Sequence, residues 1–470
     1  GAMRQSWHTA NVRPADESVQ LGWQEASQCY TGTSSSSRSG CHCKSSGKKT
    51  SRRAVSSQRS WLQIPALILA PLVADAQTEL HYGIIIDAGS SGSRAHVYSW
   101  HYSVADEVEL VEDALLRIEP GLAAFASNLT GVPSYLGQLL DHAMHAVPRP
   151  MQSSTPVFLM ATAGLRSKGE KVAKDILQVA STEFSRSPFL FRPEWAFVMS
   201  GKDEAVYGWL SVNYLLGTLG RAKGGTSSVI DLGGGSVQMV YEQLAKEART
   251  GSLQAEVSLR DQTYRLLYQS HSGFGLIAAR EEVMKDIVNG GTGAGPLLHP
   301  CYPAGFELDF DSSRFVGSGS YADCQAYYMR YLLRNGLGAK HSGRTTWPEK
   351  IFGFSFLYDR TGAIGLLDSE AKFFGTQTMT VSNISGAAAR LCDLQPAAIQ
   401  ARFVDALESE KWADFCNDVT YIATLLEHGL GVDPAADVTM GNKVGNFEVV
   451  WAVGAILAKV MELEATRSEL

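Results

Sequence analysis

The stretch Gly83-Ile84-Ile85-Ile86-Asp87-Ala88-Gly89-Ser90-Ser91-Gly92-Ser93-Arg94-Ala95-His96-Val97-Tyr98 joins an apolar β-branched run to a second alternating run through a turn of small residues. The pattern predicts a β-hairpin over 82–100. Glycines in the turn permit positive φ and close backbone approach, while serine hydroxyls and turn amides supply converging donors, which is what a phosphate needs. Asp87, at the end of the first strand, would repel a bare phosphate but suits one carrying a divalent cation, because hard cations take oxygen ligands. The run Ser227-Ser228-Val229-Ile230-Asp231-Leu232-Gly233-Gly234-Gly235-Ser236-Val237-Gln238-Met239-Val240-Tyr241 repeats the order of strand, Asp, glycines, Ser and returning strand. The two aspartates lie 231 − 87 = 144 positions apart, a suitable length for one half of a duplicated structure. Two such hairpins facing each other across a cleft would grip a polyphosphate from both sides.

The 470 residues suffice for two cores, and 45% hydrophobic with 19% charged residues is the balance of a globular chain. The net charge of −7 argues against a nucleic-acid binder living on a basic surface, so an anionic substrate needs local positive charge or a metal. The N-terminal region differs. Residues 34–60 are rich in Ser, Arg and Lys and cannot form a core. Arg52, Arg53 and Arg59 then precede an apolar run over 61–74 and the small-x-small site Ala74-Asp75-Ala76. This is the layout of a secretory signal cleaved after Ala76, or of a retained signal anchor behind a long tail, the only membrane attachment expected. The expected location is the secretory pathway, either extracellular or in the Golgi or ER lumen. Cys29, Cys41 and Cys43 sit in the tail, and the remaining chain holds Cys301, Cys324, Cys392 and Cys416, which allow three pairings. Asn128-Leu129-Thr130 and Asn383-Ile384-Ser385 are glycosylation sequons.

Periodicity predicts a strand over 108–118, helices over 132–147 and 171–184, and, within 155–166, a short buried strand opening into a small-residue turn. Thr162 reads equally as a strand-end hydroxyl or as a cleft residue. Ser200-Gly201-Lys202-Asp203 resembles a capping-box start for a helix running to about 216. Glu204 therefore falls in the first helical turn, where an acid either stabilises the helix dipole or serves as a general base aimed into the cleft. Residues 352–358 form an aromatic strand, and 447–457 pass from strand to helix with Gly454 allowing close packing. There is no Walker-A sequence, no His-Glu-x-x-His pair and no nucleophile elbow, which leaves hydrolysis through an activated water.

Five segments in this order, Asp87 to Arg94, Ala161 to Arg166, Ser200 to Gly217, Asp231 to Gln238 and Trp451 to Ile456, resemble the conserved regions of the apyrases, or nucleoside triphosphate diphosphohydrolases, with their guanosine-diphosphatase relatives. The similarity spans about residues 80–463. It implies an actin-like (ribonuclease H-like) duplicated α/β fold, with one lobe over 77–199 completed by 440–470, the other over 200–439, and the active site between them. It implies that Asp87 and Asp231 hold Ca²⁺ or Mg²⁺ through water, and that Ser90, Ser91, Ser93, Gly233, Gly234 and Gly235 cradle the phosphates. Glu204 would deprotonate the attacking water, positioned by Ser236 and Gln238 with Thr162 nearby, and Tyr358 would stack on the nucleobase. The substrate implied is a nucleoside di- or triphosphate, and the disulfides implied are Cys301 with Cys324 and Cys392 with Cys416. Gly235, Val237 and Ala205 stand where the family more often has Ala, Thr and Gly. The alternatives are an exopolyphosphatase or guanosine pentaphosphatase, which shares the Asp-x-Gly turns, and a nucleotide-binding lectin-like domain without turnover.

Overall fold

The computed structural model describes residues 79–103, 108–220, 225–243, 253–259, 262–291, 295–338, 347, 350–367, 375–403 and 412–468. The tail, the signal or anchor segment and the three cysteines before residue 76 lie outside these.

Two sheets carry the chain. The first holds β1 (His81–Ala88), β2 (Ser93–Tyr102), β3 (Val108–Ile118), β4 (Val157–Ala161) and β5 (Ala196–Val198) in the order β3-β2-β1-β4-β5. The second is built from β6 (Ser228–Leu232), β7 (Ser236–Glu242), β8 (Leu253–Leu259) and β9 (Gln262–Ser272). A small separate sheet of β10 (Leu297–His299), β11 (Glu307–Phe310) and β12 (Ser313–Gly317) intervenes before β13 (Ile351–Ser355), β14 (Thr376–Thr380) and β15 (Asp437–Gly441) complete the second sheet. Its order is β14-β15-β13-β6-β7-β9-β8. Within it, β9-β7-β6-β13-β15 repeats β3-β2-β1-β4-β5 strand for strand. In each sheet an antiparallel hairpin leads, its second strand pairs antiparallel with a further strand (β3 or β9), and its first strand pairs parallel with a strand (β4 or β13) that in turn takes a second parallel neighbour (β5 or β15). The duplication suggested by two aspartate turns is therefore a duplication of whole sheets, with β8 and β14 added as edges.

Three cores follow from the alternation of side chains along these strands. On one face of the first sheet, Ile84, Ile86, Val97 and Leu159 pack against Leu136, Leu139 and Leu140 of the helix Val132–Ala146. On one face of the second, Ile230, Val237 and Met239 meet Val283 and Ile287 of the helix Leu276–Gly290. A middle core joins the two sheets: Ile85, Phe158 and Met160 from the first and Val229, Val240 and Phe352 from the second close around Trp209 and Leu210 of the helix Gly201–Leu215. The helix Trp451–Ser468 shares this core. Gly454 gives it room, since a Cβ there would lie 2.1 Å from the Tyr207 carbonyl oxygen, and its N–H donates to Ser211 Oγ at 2.7 Å.

The aromatic stretch over 352–358 departs from its expected form. β13 stops at Ser355, whose φ of 57° breaks the extended line, and residues Phe356–Ala363 are helical. The structure bonds Cys301 to Cys324 and Cys392 to Cys416, the pairs implied by the resemblance. No helix among the described residues is long and apolar enough to cross a membrane.

Candidate active site

The two aspartate hairpins end against each other. A Cβ added to Gly234 in the second turn would lie 2.7 Å from Ser90 Oγ in the first, and one added to Gly164, after β4, would lie 2.6 Å from Ser90 Cα. None of Gly89, Gly92, Gly233, Gly234 or Gly235 takes a positive φ. Gly234 serves close approach between the two turns, and Gly89 and Gly92 close approach to their own turn and to the end of β3, rather than left-handed backbone.

A cleft opens where the turns meet. Its lining includes Asp87, Ser90, Ser91, Thr162, Glu204, Asp231, Gly233 and Gly234, so eight of the residues singled out in the sequence converge there. Asp87 and Asp231 occupy equivalent places, each on the first strand of a hairpin and each opposite the returning strand, at Arg94 and Gln238 respectively. Glu204 reaches the cleft because Ser200 caps its helix: Asp203 N–H donates to Ser200 Oγ at 3.1 Å and the Ser200 hydroxyl donates to Asp203 Oδ2 at 2.7 Å. The cap turns Asp203 outward and leaves Glu204, 6% exposed, facing inward.

The electrostatics are those of buried acid held by arginine. Arg166 Nη2 donates to Glu204 Oε2 at 3.1 Å while its Nη1 donates to the Met199 carbonyl at 2.7 Å, and Arg94 Nη1 donates to Asp87 Oδ2 at 3.0 Å. Burial pushes Glu204 up to about 8; the Arg166 charge pulls the other way, and Asp231 and Asp87 add to the rise. Asp231 is pushed up to about 6, again chiefly by burial, with the Ser355 hydroxyl bond opposing it and the Asp87 charge adding to it. Asp87 Oδ1 and Asp231 Oδ1 are buried without a hydrogen-bond partner. Five carboxyl groups line the cleft, Asp87, Glu204, Asp231, Asp359 and Glu448, against the guanidinium groups of Arg94 and Arg117, and with the two free oxygens of Asp87 and Asp231 they form a donor set that fits a hard divalent cation. Among the described residues no three His, Cys, Asp or Glu side chains converge as a direct ligand set, so such a fit involves water or substrate oxygens.

Five expected residues lie behind this lining. Ser236 and Gln238 are each 1% exposed on β7, with Gln238 Nε2 donating to Ser236 Oγ at 2.8 Å. Ser93 is fully buried at the start of β2, and Gly235 packs beneath the turn against Ala163. Tyr358 needs a larger correction. Instead of standing at a strand end facing the cleft, it lies in the first helical turn after β13, 8% exposed, within the core of the second sheet. Phe356, two residues earlier, lines the cleft in its place. Sequence reasoning also passed over Ser355, Arg94, Arg166 and Glu448, all but Arg166 lining the cleft. A signal was present for Ser355, a polar residue closing an apolar strand, and for Arg94 and Arg166, which close two of the segments that resemble the family's conserved regions, whereas Glu448 carried none.

A duplicated α/β fold whose two aspartate turns meet at a cleft, with a buried glutamate between them, defines the class of actin-like phosphate-handling proteins. The pattern of the GDA1/CD39 (nucleoside phosphatase) family matches residues 73–468, and the chain belongs to this family. It is 34% identical over 412 residues to probable apyrase 1 of Oryza sativa subsp. japonica, covering 80% of this chain and 81% of that one. It is 30% identical over 421 residues to the guanosine-diphosphatase of Schizosaccharomyces pombe, covering 81% and 74%. Among solved structures, a nucleoside triphosphate hydrolase from Neospora caninum superimposes with a TM-score of 0.61 at 16% identity, over 82% of this chain and 93% of that one, which speaks to the fold.

Proposed function

We propose that this protein hydrolyses nucleoside di- and triphosphates to the lower phosphate and orthophosphate, using water as the nucleophile and a Ca²⁺ or Mg²⁺ ion held through water by Asp87 and Asp231. The observation that carries this reading is the convergence of Asp87, Asp231 and Glu204 at the meeting point of two Ser/Gly turns. The ion, when bound, neutralises charge on the phosphate oxygens. Ser90, Ser91 and Ser93 with the backbone of Gly233, Gly234 and Gly235 hold the phosphate chain, Ser93 and Gly235 acting through the turns they anchor. Glu204 takes the proton of the attacking water as its oxygen bonds to the terminal phosphorus, and the bridging P–O bond breaks with its electron pair leaving on the lower phosphate. Arg166 orients Glu204 and favours its ionised form. Thr162 borders the same space, while Ser236 and Gln238 orient the water from behind the turn. The nucleoside lies toward Phe356, whose ring at the cleft surface supplies the stacking face first assigned to Tyr358.

The lobes proposed are 77–199 completed by 440–470, and 200–439. The repeated sheets support a division into two halves near residue 200, whereas β15 (Asp437–Gly441) belongs to the second sheet and moves the end of the second half past 441. The two disulfides favour an oxidising compartment, and so entry into the secretory pathway through the 61–76 segment. The test is phosphate release from ADP, GDP, UDP, ATP and tripolyphosphate, with Ca²⁺, with Mg²⁺ and with chelator. Cation-dependent release from nucleotides is expected. Preference for tripolyphosphate over every nucleotide would replace the reading by a polyphosphatase, and binding without release would replace it by a nucleotide-binding domain.

A further inference from the structure

Glu112 does not line the cleft, yet its carboxylate holds part of the cleft wall. β2 and β3 pair as Arg94↔Arg117, Ala95↔Leu116, His96↔Leu115 and Val97↔Ala114; the register then slips, Tyr98 faces Glu112, and Asp113 is passed over. Since side chains alternate between faces, an unslipped β3 would send Glu112 to the side of Ala95 and Val97, which pack in the outer core of the first sheet. The bulge turns it to the side of His96 and Tyr98, the side that the C-terminal segment covers. There Glu112 Oε1 lies 2.8 Å from His96 Nδ1, and Oε2 accepts the backbone N–H of Glu448 at 3.1 Å, across 336 residues of chain. His96 is fully buried and the Glu112 side chain 7% exposed, so both bonds are shielded from water.

Glu448 and the three residues after it, through Trp451, line the cleft. Strand pairing supports only the start of this wall, since β16 (Lys443–Val444) and β17 (Phe447–Glu448) pair over two residues each, while Val449 N–H donates to the Asn442 carbonyl at 2.8 Å and Trp451 opens the helix Trp451–Ser468. Glu112, from the first sheet, adds a hold at Glu448 itself. The geometry points to Glu112 as a positioning residue: held by His96, it fixes the Glu448 amide and with it the 448–451 wall beside Arg94. The kinetic consequence rests on the hydrolase reading above, whereas the anchoring itself does not.

The experiment measures hydrogen exchange at the Glu448 amide together with GDP hydrolysis, in the wild type, E112A, E112Q and L110A. In E112A the Glu448 amide should exchange at least about tenfold faster while β1 amides keep their rates, because its hydrogen-bond acceptor is lost. KM for GDP should rise about tenfold with kcat within about threefold, as expected when binding rather than chemistry is weakened. E112Q keeps a carbonyl for the Glu448 N–H and turns its amide NH2 to His96 Nδ1, which accepts it with the ring hydrogen on Nε2, so most of both effects should be recovered. L110A truncates a middle-core side chain of the same strand while leaving the Glu112 carboxylate and its bond to the Glu448 amide in place, and should lower stability with KM unchanged. Where E112A does not fold, E112M fills the same volume without an acceptor and serves for both readouts. Unchanged exchange at Glu448 in the folded variant overturns the proposal, as does L110A raising KM as much as E112A. Absence of GDP turnover in the wild type would overturn the hydrolase reading alone, leaving the exchange result to decide the anchor.

Discussion

Glu204 and Arg166 meet where water barely reaches, and that governs what the acid can do. With its ionisation held up to about 8 by burial, Glu204 takes a proton readily, and the guanidinium beside it is what brings the ionised form within reach at neutral pH. Glu204→Gln should lower turnover by about 10²-fold or more while nucleotide binding persists, seen by comparing kcat with equilibrium binding. Arg166→Ala removes a charge that favours the carboxylate, so the rising limb of the kcat/KM profile should move to higher pH. The same group affects stability. Its folded pKa lies above the unfolded 4.5, so its contribution is present below pH 4.5 and lost as pH rises through about 8; Asp231, moved from 3.8 to about 6, has the same sign. In cation-free buffer, urea melts should therefore show stability falling across this window, and Glu204→Gln should flatten the fall. Phe356 and Tyr358 separate recognition from packing. Phe356→Ala should raise KM for nucleotides by roughly one to two decades and leave tripolyphosphate hydrolysis nearly unchanged, the range being that of base stacking. Tyr358→Ala should cost about 3 kcal/mol of stability as a core truncation and affect both substrates alike.

At the scale of elements, the second turn depends on the helix that follows β9. Leu276 N–H donates to the Gly233 carbonyl and Ile277 N–H to that of Gly234, at 2.9 and 3.1 Å, so the start of Leu276–Gly290 braces the turn directly. Gly275 permits this contact. A Cβ there would lie 2.4 Å from Gly234 C, Gly235 N and Ser236 N, all backbone atoms that cannot swing aside. Gly275→Ala must push the helix from the turn; a loss of about 1–3 kcal/mol of stability is expected, with turnover reduced more than tenfold. Wild-type turnover in a folded Gly275→Ala variant would show that the turn tolerates the shift. Elsewhere the elements follow local chemistry: Thr380 and Asn383 form a reciprocal capping box at the start of Val381–Cys392, and this helix ends at the disulfide to Cys416.

At the scale of the molecule, the two sheets bring together carboxyl groups that repel one another. Asp87 and Asp231 come from different sheets, and each carries a buried oxygen without a partner. A divalent cation bound only by the native arrangement should therefore stabilise the whole fold, by roughly 2.7 kcal/mol at a hundredfold excess over Kd. Calorimetry with and without Ca²⁺ or Mg²⁺ reads this directly. Asp87→Ala and Asp231→Ala should each abolish most of the cation-dependent rise in Tm, and a rise undiminished in both would place the cation elsewhere.

Much of this was legible in the residues because it depends on short-range rules. Alternation from Gly83 to Tyr98, the small-residue turns, the Ser200 cap and the spacing of Asp87 and Asp231 specify hairpins, a capped helix and a repeat whatever surrounds them, since each follows from backbone geometry over a few residues. Tertiary structure decided which of those residues face the cleft. Phe356 rather than Tyr358 reaches it because Ser355 leaves the extended conformation where β13 ends, and an aromatic run carries no mark of where that break falls. Arg166 meets Glu204 across 38 positions, and Glu112 meets Glu448 across 336 after a one-residue slip that reverses the side-chain alternation. Sequence periodicity says which positions share a face. Only the packing of distant segments settles which face is buried, where a strand slips, and which charge an acid meets.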